Sequence, residues 1–138
     1  MTSSVEHQDD LPPPRVEEVS DGVFAYIQLD GSWGLNNTGF IVGRDAVVAI
    51  DCCFTERRTR WLLDAIRRYA GMKPVRALIN THHHGDHTHG NHLFLPEATI
   101  IGHTLCRETM LREGLASTRL WTDVEWGEIG RASCRERV

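Results

Sequence analysis

The chain has 138 residues, of which 41% are hydrophobic and 25% charged, and its formal net charge is −4. This length allows one domain with a modest core, and the composition is ordinary for a globular protein. The acidic balance argues against a nucleic-acid partner, and no apolar run approaches the roughly 20 residues that a membrane span needs. Residues 1–6 lack the basic and apolar regions of a signal peptide, so we expect a cytoplasmic protein.

The first predicted elements are a leader and two strands. Residues 1–15 hold Asp9-Asp10 and three consecutive prolines with almost nothing to bury, which is typical of a disordered leader. Residues 16–19 and 23–29 have the composition of strands joined by a tight turn. Trp33 lies just beyond them and is either a core residue or one wall of a substrate site.

A strand–helix–strand unit is predicted next. Strands are indicated over residues 37–43, 46–51 and 75–79, with a helix over residues 55–69. The helical period places the apolar residues of this helix on one face, namely Trp61, Leu62, Ala65 and Ile66. Its arginines, Arg58 among them, fall largely elsewhere, on faces that we expect to be solvated. Such a unit implies a parallel pair of strands.

Two polar or reactive residues end the strand at 46–51. A bare carboxylate costs free energy there unless it has partners, and by its position Asp51 could belong to the N-terminal cap region of the next helix. Cys52 either lines a nearby pocket or, as we prefer, is a small buried residue. The four cysteines show no C-x-x-C spacing, so a cysteine zinc site is not expected.

Histidines cluster directly after the strand at 75–79. Five of the eight histidines lie within residues 82–89, far above base composition, which favours a metal site over a solvated loop or an affinity tag. In extended chain, His82 and His84 project to the same side because successive side chains alternate. His83 points away from them and is not expected to be a ligand.

The cluster continues into a turn. Gly85 permits a change of chain direction that brings Asp86 and His87 back toward the preceding histidines. Imidazoles combined with a carboxylate suit Zn²⁺, with Fe or Mn as poorer choices. His89 and His92 are expected on a helix beginning near Thr88, as supporting or surface groups.

Further elements are predicted downstream of the cluster. A strand is expected over residues 98–101 and a helix over residues 104–112. Residues 115–126 contain two tryptophans among charged residues, which suggests a loop that crosses the pocket.

The pattern His82-x-His84-x-Asp86-His87 after a hydrophobic strand matches the signature of the metallo-β-lactamase fold superfamily. This resemblance implies that His82 and His84 bind a first metal, and that Asp86 and His87 bind a second. It also implies that Asp51 lies behind the metal loop as a support. The expected cofactor is one or two Zn²⁺ ions, with Fe as an alternative.

The same resemblance implies an α/β fold, the N-terminal half of a metallo-β-lactamase αββα sandwich, truncated, over residues 16–128. The family's later ligands are a histidine, a bridging aspartate and a final histidine, and none has a counterpart before Val138. Residues 129–138 can be translated from a common sequencing-adapter string that ends in a stop codon, so we expect a non-native tail. Lacking the opposite sheet, the chain is expected to expose an apolar face, to be poorly stable and to be inactive.

The implied activity is hydrolysis of a small-molecule substrate by water that a metal activates, with Asp86 as the catalytic residue that orients the nucleophile. Gly31-Ser32-Trp33 and residues 120–128 resemble thioesterase-type cyclases of aromatic polyketide biosynthesis, which implies a thioester or polyketide substrate and places Trp33 at the mouth of the site. A hydroxyacylglutathione hydrolase-like thioesterase is the alternative, and a persulfide dioxygenase-like iron enzyme is another. A lactamase is less favoured, and an incomplete domain without activity is the third class.

Overall fold

Six strands form one sheet whose spatial order follows the chain. The computed structural model describes residues 13–28 and 34–113. The strands are β1 (Arg15–Ser20), β2 (Val23–Ile27), β3 (Thr38–Val42), β4 (Val47–Ile50), β5 (Val75–Asn80) and β6 (Thr99–Gly102). The first four strands are antiparallel to their neighbours, and β4, β5 and β6 are parallel.

The helices and turns connect the parallel strands. They are α1 (Glu56–Ala70), α2 (Gly85–Thr88), a 3₁₀ turn (Asn91–Phe94) and α3 (Thr104–Glu113). The predicted strand–helix–strand unit is therefore confirmed as β4–α1–β5, with a parallel pair. The prediction that a helix begins near Thr88 and carries His89 and His92 is wrong, because α2 ends at Thr88 and His92 belongs to the 3₁₀ turn.

Local sequence explains where α1 begins and ends. The Thr55 side chain accepts a hydrogen bond from the N–H of Arg58, which satisfies one of the unpaired donors at the start of the helix. At the other end, Gly71 takes φ 64°, a left-handed value that suits glycine, and its N–H donates to the carbonyl of Arg67. The helix is thus set by its own end residues.

The face of α1 that packs on the sheet includes a buried arginine. Leu62 and Ile66 are buried as predicted, but Arg58 is only 2% exposed, so its predicted solvated position is wrong. Residues 58, 62 and 66 are four apart and share one stripe of the helix, which carries the arginine inward. Its Nη1 donates to Gln28 Oε1 at 2.9 Å, a bond that sequence periodicity could not reveal.

The core lies between α1 and one face of the sheet. Phe24 and Phe40 stack there with ring centroids 4.9 Å apart, and Leu62 of α1 and Leu78 of β5 are fully buried beside them. Burial of such a side chain contributes about 1.5–3 kcal/mol relative to full exposure. Packing on this face holds α1 against the sheet.

The opposite face of the sheet is also apolar. Ile41, Ile79 and Ile101 lie on three strands there and are 39%, 37% and 47% exposed. Within residues 13–28 and 34–113, every strand belongs to the one sheet. The predicted exposure of an apolar sheet face is thus present among these residues.

Some predictions fall on other parts of the chain. The leader up to residue 12, Trp33, the loop at 115–126 and the tail at 129–138 lie outside the residues that the structure describes. In the described part, no helix has both the length and the apolarity to cross a membrane.

Candidate metal centre

The site is built where two parallel strands end. Ile50 of β4 pairs with Ile79 of β5, and the N–H of Asp51 donates to the carbonyl of Ile79 at 2.8 Å. Residues just past these positions must therefore meet at the same edge of the sheet. This register brings Asp51 against the segment that begins with Thr81 and continues into the histidine cluster.

Asp51 supports that segment through its carboxylate. One oxygen accepts the N–H of Thr81 at 2.8 Å, and the other accepts the Thr81 hydroxyl at 2.7 Å and His87 Nδ1 at 2.8 Å. Its φ of 60° is in the left-handed region, which costs a non-glycine residue free energy that these contacts offset. Thr55 caps α1 instead, so the supporting role predicted for Asp51 agrees with its contacts.

His87 is held between two carboxylates. Its Nδ1 contacts Asp51, and its Nε2 lies 3.4 Å from Asp86 Oδ2. Burial by itself lowers the pKa of His87, but the hydrogen bonds with Asp51 and Asp86 outweigh it and raise the pKa to about 9. Burial raises the pKa of Asp86, and the hydrogen bond from His87 reverses this and leaves that pKa below its usual value.

The other predicted ligands lie beside this pair. The His82 ring centroid is 4.1 Å from that of His87 and 4.8 Å from that of His84. Thr81 Oγ1 lies 3.0 Å from His82 Nδ1, so Nε2 is the ring nitrogen on the side away from that contact. Burial, together with the neighbouring His87 and His84, lowers the pKa of His82, which favours the neutral imidazole that metals bind.

One pair of these donors has the spacing that a zinc ion requires. Two donors about 2.1 Å from one tetrahedral zinc lie about 3.4 Å apart, which is the distance between His87 Nε2 and Asp86 Oδ2. A cation placed there would replace the shared proton between these atoms. In the described ranges, however, no three His, Cys, Asp or Glu side chains surround a common point in a ligating arrangement. The four predicted ligands thus lie close together, and the pair Asp86 and His87 has the spacing of two zinc donors.

The remaining histidines of the region have other contacts. His83 Nε2 lies 3.8 Å from Glu113 Oε2 of α3, and His92 Nε2 lies 2.8 Å from Glu56 Oε1 of α1. His89 is buried, stacks on Phe54 with centroids 5.1 Å apart, and burial lowers its pKa to about 4. The surface alternative for His89 is therefore wrong, since its ring is buried and packs against Phe54.

Packing also changes the reason for Gly85. The residue does not use a left-handed backbone, and a Cβ built on it would lie 2.5 Å from the ring of His89. Glycine is needed for this close approach and not for the turn that we predicted. The helix α2 can start there because the imidazole covers its first turn.

Sequence reasoning missed two residues of the site. Asn80 and Asn91 are buried on either side of the histidine cluster, and both take part in hydrogen bonds beneath α2. Asparagine is typical of turns, and its presence at these positions does not indicate a buried amide pair. The one available signal was their symmetrical position around the cluster.

Cys52 lies in the same buried layer. Its Sγ is 3.2 Å from the carbonyl oxygen of His87 and accepts the N–H of Gly90 at 3.1 Å. Cys52, Cys53 and Cys106 are all free thiols, and Cys52 is fully buried. The preferred interpretation, a small buried residue, is confirmed.

Comparison with known families gives a match over this region. The model of the family described as "Metallo-beta-lactamase superfamily" matches residues 31–108, which include the histidine cluster and most of the sheet. The described residues from β3 to the first turns of α3 fall within it.

Curated relatives share sequence with the chain. A 2,4-dinitroanisole O-demethylase subunit alpha of Nocardioides sp. (strain JS1661) is 31% identical over 113 residues, which are 78% of this chain and 31% of that protein. A linear primary-alkylsulfatase of Pseudomonas sp. is 30% identical over 83 residues, which are 60% of the chain and 12% of that protein. The chain thus spans less than a third of the length of these relatives.

Solved structures share its fold. A metallo-beta-lactamase from Hirschia baltica has a TM-score of 0.61 at 23% identity, and the mono-zinc form of FIM-1 from Pseudomonas aeruginosa has 0.62 at 16%. The structure of TMB-1 has a TM-score of 0.60 at 30% identity. The match covers 75–78% of the chain and 49–50% of each structure. The predicted fold, part of a metallo-β-lactamase sandwich, is confirmed.

Proposed function

Since the chain belongs to the metallo-beta-lactamase superfamily, we propose that it supplies the metal-ligand cluster of a metal-dependent hydrolase. The observation that carries the proposal is the pairing of Asp86 and His87, whose Oδ2 and Nε2 lie 3.4 Å apart at the carboxyl end of the sheet. His82 and His84 would hold one cation, and Asp86 and His87 a second. Zn²⁺ is the proposed cofactor, with Fe as an alternative.

A bound cation supplies an activated water and a Lewis acid that polarises the substrate. The protein's own residues do the rest. The Asp51 carboxylate accepts a hydrogen bond from His87 Nδ1, and the other ring nitrogen of His87 faces Asp86. Asp86 would orient the attacking water and accept its proton at a carboxylate oxygen, since its lowered pKa keeps it ionised at neutral pH.

The proposed substrate is a thioester or a polyketide-type compound, with glutathione thioesters as the nearest alternative. This proposal rests on the sequence resemblance, since Trp33 and residues 115–126 lie outside the described residues.

A second candidate substrate is an aryl ether or an alkyl sulfate. The observation that favours it is the 31% identity over 113 residues to an O-demethylase subunit, together with the alkylsulfatase relative.

Hydrolysis of a substrate panel tests the proposal. The protein, as its locus encodes it, is loaded with Zn²⁺ and assayed on an aromatic acyl thioester, a glutathione thioester, an aryl methyl ether and a primary alkyl sulfate. We expect kcat/KM for the aromatic thioester to exceed the others by tenfold or more, about 1.4 kcal/mol in transition-state binding. A tenfold preference for the ether or the sulfate would support the second candidate instead.

Matched variants decide whether the proposed residues act. We expect Asp86→Asn to reduce kcat/KM at least about 100-fold, as removal of a general base does, while His83→Ala keeps most of it. No turnover of any substrate by a zinc-loaded protein would contradict the hydrolase proposal. Iron at one ion per chain in the purified protein would favour the persulfide dioxygenase-like alternative.

A further inference from the structure

We propose that Asn80 and Asn91 are positioning residues for His87, forming a buried amide pair that fixes the main-chain carbonyl next to the imidazole. The inference rests on the proposed function only where it takes His87 to be a metal ligand. The positioning itself is a property of the chain without a metal.

The two side-chain amides bond to each other in both directions. Asn80 Nδ2 donates to Asn91 Oδ1 at 3.1 Å, and Asn91 Nδ2 donates to Asn80 Oδ1 at 2.7 Å. Asn80 Nδ2 also donates to the carbonyl oxygen of His87 at 3.1 Å. An amide nitrogen has two N–H groups, so both donors of Asn80 are occupied and Asn91 fixes which way the amide faces. The residues are 4% and 7% exposed, so water does not replace a lost partner easily.

Cys52, just after the end of β4, contacts the same carbonyl oxygen of His87. Its N–H donates to the carbonyl oxygen of His87 at 3.1 Å, and its thiol lies 3.2 Å from the same oxygen and 3.4 Å from Asn91 Oδ1. The end of β4 and the end of β5 thus both donate to a single acceptor. That acceptor belongs to the last turn of α2, where helical carbonyls have no partner inside the helix.

His87 is consequently fixed at two points. Its carbonyl is held by Asn80 and Cys52, and its Nδ1 is held by Asp51 at 2.8 Å. With the main chain and one ring nitrogen both fixed, the side-chain torsions have little freedom, and Nε2 is directed at Asp86. Removal of Asn91 would free the Asn80 amide to rotate, and the carbonyl of His87 would then be held less firmly.

Exchange of the His87 Nδ1 proton tests the positioning without any metal. In the ¹⁵N-histidine-labelled chain, this proton gives a signal that is absent in His87→Ala, and its exchange with water can be measured by NMR. We expect exchange at least tenfold faster in Asn80→Ala and in Asn91→Ala than in the unmodified chain. Asn36→Ala is the matched control, because Asn36 is equally buried and donates to the carbonyl of Cys52 at 2.8 Å.

Two results would overturn the inference: exchange in Asn91→Ala as slow as in the unmodified chain, or exchange in Asn36→Ala accelerated to the same extent. Should Asn91→Ala fail to fold, Asn80→Ala decides the question. That variant removes the amide that donates to the carbonyl oxygen of His87, so exchange as slow as in the unmodified chain would contradict the inference.

Zinc affinity then separates this inference from the proposed function. Competition with a chromophoric chelator should show about tenfold weaker Zn²⁺ binding in Asn91→Ala, as supporting groups of metal ligands typically give, and little change in Asn36→Ala. Faster proton exchange with unchanged zinc affinity would still support the inference that the amide pair positions His87. In that case, the assignment of His87 as a ligand fails.

Discussion

The histidine segment has two halves that are built differently. In the open half, His82 and His84 follow β5 in an irregular stretch, His84 is exposed, and His82 contacts Thr81 Oγ1 at 3.0 Å. In the clamped half, Asp86 and His87 lie on α2, and His87 is held by Asp51 on one side and by the strand ends on the other. The difference teaches that the second pair is preorganised by the fold, whereas we expect the first pair to be ordered by the cation.

The largest effect should come from the residue that touches both halves. Asp51→Ala removes the acceptor of Thr81, next to His82, and of His87 Nδ1. We expect zinc affinity to fall about 10- to 100-fold. The free energy of unfolding should fall by about 1–3 kcal/mol, since partly buried donors lose their partner. Chelator competition and urea denaturation measure the two quantities.

Two controls sharpen this prediction. Asp51→Gly accommodates φ 60° without strain, so a loss as large as that of Asp51→Ala assigns the effect to the carboxylate and not to the backbone. Asp51→Asn keeps the volume and tolerates the same backbone, so its zinc affinity should lie between those of the unmodified chain and Asp51→Ala. Unchanged zinc affinity in Asp51→Ala would contradict the claim that the fold preorganises Asp86 and His87 for the metal.

A smaller effect is expected at Gly90, which follows α2 and packs closely against Thr59 of α1. A Cβ built on Gly90 would lie 2.1 Å from Thr59 Oγ1, so Gly90→Ala forces the turn away from the helix. Overpacking of this kind costs about 1–3 kcal/mol of stability. Gly102→Ala is the control, because its nearest neighbour, Cys106 Sγ, is 3.6 Å away and a change within about 0.5 kcal/mol is expected. Equal stabilities of the two variants by urea denaturation would show that the turn at Gly90 is not tightly packed against Thr59 of α1.

The fold was largely predictable because its signals are local. The apolar runs of β4 and β5, the Thr55 cap and Gly71 each mark an element by its own sequence, and a helix between two such strands implies a parallel pair. Arg58 could not be predicted in the same way. Its burial depends on Gln28, which comes from a different part of the chain, and periodicity contains no information on such a partner.

The site shows the same division. Alternation of side chains and the strand end predicted that His82, His84, Asp86 and His87 lie in one cluster, and the contact of Asp51 with His87 followed the predicted supporting role. The buried amide pair was not predicted, because only the folded chain brings the two ends of the cluster together. The role of Gly85 was assigned to a turn, since packing against an imidazole leaves no trace in the sequence.

Zinc retention after dialysis tests the central claim, that these four residues form the metal centre. The chain, the double variant His82→Ala/His84→Ala and the single variant His83→Ala are loaded with Zn²⁺, dialysed and analysed for metal. We predict that the unmodified chain and His83→Ala retain zinc and that the double variant loses it. Equal retention by the double variant and the unmodified chain, or an equal loss in His83→Ala, would contradict the account.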